Sequence, residues 1–131
     1  MQSIIKKIVI VCLLLVPFVA LHVADGGFFD VLSIGGGSGL FFPFISGKNI
    51  IFRFLVEIAF AGWVVLALTD ASYRINIKKT PLTIAYAVFM TVLLLADLFG
   101  VDREKSIWSN FERMEGFVGH IHLFAYFFVL T

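Results

Sequence analysis

IIFRFLVEIAFAGWVVLAL, residues 50–68, decides the class of this fold. A helix needs about 20 apolar residues to cross a bilayer, and this stretch supplies them. Only Arg53 and Glu57 interrupt it. They stand at i and i+4, on one helical face, where their side chains can pair. Charge that far inside a span is expensive and usually faces a bundle interior. Two readings stay open: an ion pair that fixes helix packing, or a polar wall beside a substrate cavity.

The remaining composition agrees with a membrane class. The chain has 131 residues, 60% hydrophobic and 15% charged, with 16 phenylalanines. Its mean hydropathy is +1.02. Soluble domains are about half apolar and a quarter charged. The expectation is an all-α, polytopic transmembrane helix bundle. Residues 1–131 form a single unit of about four helices, near 4–24, 50–69, 82–99 and 110–131, with an interfacial loop. The net charge of +1 says nothing about nucleic acid, and with no basic patch interleaved with aromatics no nucleic-acid partner is expected. The single cysteine, Cys12, offers no internal disulfide and suits packing. Without cysteine pairs, and with scattered histidines, no metal framework is expected and no cofactor is implied.

Upstream, Ile4 to Ala24 reads as the first span, with Lys6 and Lys7 near its start. The apolar stretch is long and the small-residue cleavage pattern poor, so a retained helix is expected over a signal peptide. Pro17 should kink it. Asp25 to Lys48 is a long connection with glycines at 35, 36, 37 and 39. It is not a Walker loop, because Phe42 and Asn49 stand where Gly and Ser or Thr are needed. A flexible linker is the simpler reading. FFPFI is expected as a short interfacial segment bounded by Pro43 and Gly47. Downstream, Thr69 to Thr80 is a short basic loop. Pro81 suits the first turn of a third span, and Gly100 suits its stop.

SIWSNFERMEG, residues 106–116, is the polar stretch most open to a functional reading. Trp108 and Phe111 share a helical face. Ser109 and Glu112 fit a capping box, so a helix is expected to start there and run on through Phe117 to Leu130. Glu112, Arg113 and Glu115 would then lie at the water–lipid boundary, as an anchoring collar or as groups offered to a lipid-borne substrate. From Gly116 to Thr131 a helix reaches about 24 Å, short of a full span, so the chain reads as the amino-terminal part of a longer protein. His120 and His122 lie about 200° apart on a helix and cannot chelate one ion together. His120 shares a face with Arg113 and Gly116, and His122 with Glu115 and Gly119. The two glycines would leave a groove for a helix or a lipid. A satisfied, buried histidine is the simpler reading of each. The basic loop before Pro81 places both termini in the cytoplasm and SIWSNFERMEG outside.

FFPFISGKNIIFRFLVEIAFAGWVVLAL, with the basic loop, the third span and LFGVDREKSIWSNFERMEGFVGHIHLF, resembles the amino-terminal part of the O-antigen ligase and polymerase family. The resemblance runs from Phe41 to the end and is sharpest in FPFISGK, FRFLVE and SIWSNFERMEG. It implies a bacterial cytoplasmic (inner) membrane protein that transfers glycan from a polyprenyl pyrophosphate carrier on the outer face, without a metal. The family's best-known functional residues lie in later segments, so no catalytic residue carries over and this chain alone is expected to be inactive. In that setting Arg113 would meet the pyrophosphate with its planar fork. Glu112, Glu115 and His120 would line the same substrate site, and Trp108 would stack on a sugar or anchor in headgroups. The alternative is a small non-enzymatic membrane protein, an assembly partner or a transporter piece.

Overall fold

The structure is a computed structural model that describes residues 2–21, 43–74, 80–109 and 116–131. Every regular element among the described residues is helical. The helices are α1 (Gln2–Leu15), α2 (Pro43–Thr69), α3 (Pro81–Phe99), α4 (Arg103–Trp108) and α5 (Phe117–Leu130). A 3-10 extension, Val16–Leu21, prolongs α1, and a 3-10 turn, Ala71–Tyr73, follows α2. Among the described residues, three stretches are long and apolar enough to cross a membrane: Gln2–Ala20, Gly47–Thr69 and Pro81–Phe99. α5 is a shorter apolar helix. Its 14 residues extend about 21 Å.

α1 lies along α2, and α5 sits between α2 and α3. The α2 stripe Val56, Ala59, Gly62 and Leu66 recurs every three or four residues, as one buried helical face requires. Val9 and Cys12 of α1 are buried as well. At Gly62 the backbones come close, since a Cβ there would lie 2.6 Å from Val9 Cγ2. Small residues at such crossings are the usual device of helices packed in lipid, where van der Waals contact replaces hydrophobic drive. Aromatic rings join the other side. Trp63 meets Phe128 edge-on at 5.0 Å, and Tyr86 meets Phe124 edge-on at 5.0 Å. Large apolar side chains such as Ile4, Leu14, Phe89 and Val92 face outward.

These contacts fix directions. Gly62 faces Val9 while Lys6 lies over the Tyr73 ring, so α1 is antiparallel to α2. Glu57 meets His122 and Trp63 meets Phe128, so α2 and α5 are parallel. The start of α1 and the segment after α2 therefore share one end of the bundle. The starts of α2 and α5 share the other, with α4.

Pro17 acts as anticipated. Without an N–H it cannot bond the Leu13 carbonyl, and the α-helical pattern stops at Leu15. The freed Leu13 oxygen accepts instead from Tyr126 Oη of α5, at 3.5 Å. The far end of α2 is strapped in a comparable way. Trp63 Nε1 donates to Tyr73 O at 3.1 Å, and Arg74 Nε donates to Ala67 O at 3.0 Å. Ala67 is one of the last four carbonyls of α2, which have no partner within the helix.

Two expectations are corrected. The segment from Pro43 to Gly47 is not a separate interfacial piece, because α2 begins at Pro43 and runs through Gly47 without a break. Proline is tolerated in a first helical turn, and a single internal glycine costs only about 1 kcal/mol. The fourth helix does not run from Ser109. Ser109 ends α4 with a φ of 65°, and its N–H donates to Lys105 O at 2.7 Å. α5 is entered afresh through extended Gly116. The capping residue of this region is Asp102, whose side chain accepts from Lys105 N at 3.3 Å.

Candidate functional site

α4 folds back over the end of α3 and meets the start of α5. One glycine permits the close approach. A Cβ at Gly116 would collide with the Ile107 carbonyl and lie 2.6 Å from Ser109 N. Backbone atoms cannot rotate away as a side chain can. Gly116 is therefore not an open groove for a ligand, as the sequence suggested. The end of α4 fills it.

Trp108 is 60% exposed, at the last position of α4, beside this junction. Glu112, Arg113 and Glu115 lie outside the described residues. His120 is half-buried on the first turns of α5, with Nδ1 3.2 Å from Gly116 O, a local bond on its own helix. Arg53 is half-buried on α2, one turn before Glu57.

Glu57 makes a contact that the sequence reading missed. Its Oε1 lies 3.1 Å from Nε2 of His122, joining α2 to α5. His122 also turns Nδ1 to Val118 O, at 2.6 Å. His122 is mostly covered, with 14% of its side chain accessible, while 65% of the Glu57 side chain is accessible. Glu57 therefore stands on the rim of the α2–α5 seam and reaches inward with its carboxyl group. The partners are 65 positions apart, beyond any argument from helical spacing. A signal existed, since an acid inside an apolar span demands a polar partner. A histidine six residues into α5 is at a depth to provide it.

A second polar group stands out on α3. Thr83 is buried, and its Oγ1 has no hydrogen-bond partner. It lines a groove of about 440 Å³ between α3 and the rings of Phe124 and Phe128.

No protein-family profile, curated protein or solved structure matches the chain.

Proposed function

We propose that this chain is a bilayer-spanning helical unit of a bacterial cell-surface glycan-transfer protein of the O-antigen ligase and polymerase kind, in the cytoplasmic membrane. Its segment from Arg103 to Gly116 meets the pyrophosphate of a polyprenyl-linked glycan at the outer surface. The observation that carries the reading is the placement of α4. It crosses the end of the bundle between α3 and α5, with Trp108 exposed beside the junction. The connection from α3 to α5 carries Asp102, Arg103, Glu104, Lys105, Glu112, Arg113 and Glu115 in its sequence, a composition suited to a boundary where a lipid-borne pyrophosphate presents its charge. Arginine suits phosphate because its guanidinium stays charged and binds with two parallel donors. Glu112 and Glu115 orient Arg113 or accept from sugar hydroxyls, and Trp108 offers a face for a sugar ring. The resemblance of FPFISGK, FRFLVE and SIWSNFERMEG supports the same reading.

The test uses the chain in proteoliposomes with a photoactivatable polyprenyl pyrophosphate-linked disaccharide. Cross-links are expected within 103–116 and not within 70–80. Arg113→Ala and Arg113→Lys should both lose them, since lysine brings a point charge without the fork. Equal labelling of Arg113→Lys, or equal labelling by a polyprenol without pyrophosphate, would return Arg113 to an interfacial anchor and favour a non-enzymatic membrane protein. The chain alone should transfer no glycan.

A further inference from the structure

We infer that Glu57 and His122 form an intramembrane proton-binding site whose occupancy is coupled to the docking of α5 on α2. The argument rests on donors and acceptors. A backbone carbonyl can only accept, so the 2.6 Å contact from His122 Nδ1 to Val118 O requires a hydrogen on Nδ1. A neutral imidazole then has a bare lone pair on Nε2. An ionised carboxylate has only lone pairs, so it cannot bond that nitrogen at the observed 3.1 Å. The contact exists in two microstates. In one, an imidazolium donates from Nε2 to a carboxylate. In the other, a protonated Glu57 donates to a neutral Nε2. Both carry one proton more than ionised Glu57 beside neutral His122. Both also leave the pair without net charge, the condition an apolar surrounding favours.

Loss of that proton breaks the arrangement. The proton passes to water, and the pair is left with a net charge of −1. If Nδ1 keeps its hydrogen, two lone pairs face each other across the α2–α5 seam. If the imidazole changes tautomer, the seam is restored, but the Val118 contact becomes lone pair against lone pair. Neither arrangement keeps both bonds. The 65% accessibility of Glu57 leaves its carboxyl side uncovered by neighbouring helices.

Neighbouring groups leave this chemistry to the pair. His120 points away from His122 on α5 and bonds Gly116 O. Tyr126 of α5 donates to Leu13 O. On α1, Lys6 lies over Tyr73 beyond the other end of α2, Lys7 is exposed, and Cys12 is buried. On α3, Tyr86 meets Phe124 edge-on, and Asp97 stands in the last turn. Arg53, half-buried one turn from Glu57 on α2, is the nearest fixed charge along the chain.

The experiment is nitrogen NMR of histidine-labelled chain in lipid nanodiscs, titrated with pH. Trp63 fluorescence is followed in a Trp108→Phe background, because Trp63 packs on Phe128 across the same seam. At low pH, His122 should show Nδ1 protonated and Nε2 protonated or strongly hydrogen-bonded. As pH rises, about one proton per chain should leave in a step shared by the His122 resonances and the Trp63 signal. In Glu57→Gln, whose amide donates to neutral Nε2 without a titrating proton, that shared step should vanish while Trp63 keeps its low-pH signal. The inference is overturned if His122 keeps a bare ring nitrogen at every pH while Trp63 reports a docked seam. It is equally overturned if Glu57→Gln retains the shared step. Should Glu57→Gln fail to fold, the infrared carboxyl band of the unaltered chain decides. A band change at the step, enlarged by labelling glutamate, supports the site, and a constant spectrum refutes it.

Discussion

Replacing Gly62 by alanine should separate α1 from α2, although alanine is the better helix former. The new Cβ would lie 2.6 Å from Val9 Cγ2 and 3.6 Å from Ile5 Cγ2. Only the first distance is prohibitive, because ordinary carbon contacts are about 3.5–4.0 Å. Val9 cannot swing away easily, since a β-branched residue has one strongly preferred χ1 in a helix. The helices must part by roughly 1 Å, and overpacking of this kind costs about 1–3 kcal/mol. In water, the gain of about 1 kcal/mol in helix propensity would offset part of that. In a bilayer it does not, because both helices keep their backbone bonds whether docked or apart. The full cost falls on docking, which weakens about fivefold to more than a hundredfold. Energy transfer between labels on α1 and α2 in nanodiscs measures it. Val9→Ala in the Gly62→Ala background should recover much of the loss, with a coupling of about 0.5–3 kcal/mol. Unchanged docking of Gly62→Ala, or a double variant no better than the single one, would refute the close crossing.

Further expectations concern the ends of the bundle. Cysteine at position 105 should react with an impermeant reagent from outside and cysteine at position 78 should not; the reverse pattern inverts the orientation. Gly116→Ala should loosen α4 from α5 by about 1–3 kcal/mol, because its Cβ meets backbone that cannot yield; unchanged protease resistance near Trp108 would contradict this. Trp63→Phe should keep the ring contact with Phe128 but lose the bond to Tyr73 O, at about 0.5–1.5 kcal/mol in a denaturant titration. Asp70 accepts from the Ser72 N–H, which holds its carboxyl below the usual range. Its support of the turn after α2 is therefore present above the unfolded carboxylate range and lost as pH falls through the folded value. Hydrogen exchange at Ser72 should accelerate there, and Asp70→Asn should flatten the dependence.

Hydropathy made the three long helices legible, because in lipid an apolar run must close its own backbone bonds as a helix. Pro17 and Pro81 were equally readable, since proline acts on its own turn wherever the rest of the fold lies. Local rules failed where two local signals competed. The spacing of Ser109 and Glu112 suggests a cap, but Ser109 closes α4 and Asp102 caps it. Pro43 and Gly47 were read as boundaries, although each is permitted inside a helix stabilised by an apolar setting. The site residues divide similarly. A sequence can show that Glu57 needs a polar partner and that Arg53 stands one turn away, but not that His122 also meets it. Only the packing of α5 against α2 brings His122 within reach. The filled Gly116 was hidden for the same reason, since its neighbour Ile107 belongs to a different helix.

The bond between Tyr126 and Leu13 imposes an order on biogenesis. Pro17 leaves the Leu13 carbonyl of α1 without its usual donor, and the hydroxyl that reaches it comes 113 residues later in the chain. Throughout translation of the intervening chain, α1 carries a polar defect that lipid cannot solvate. An early α1–α2 hairpin hides the Gly62 face but leaves that oxygen waiting.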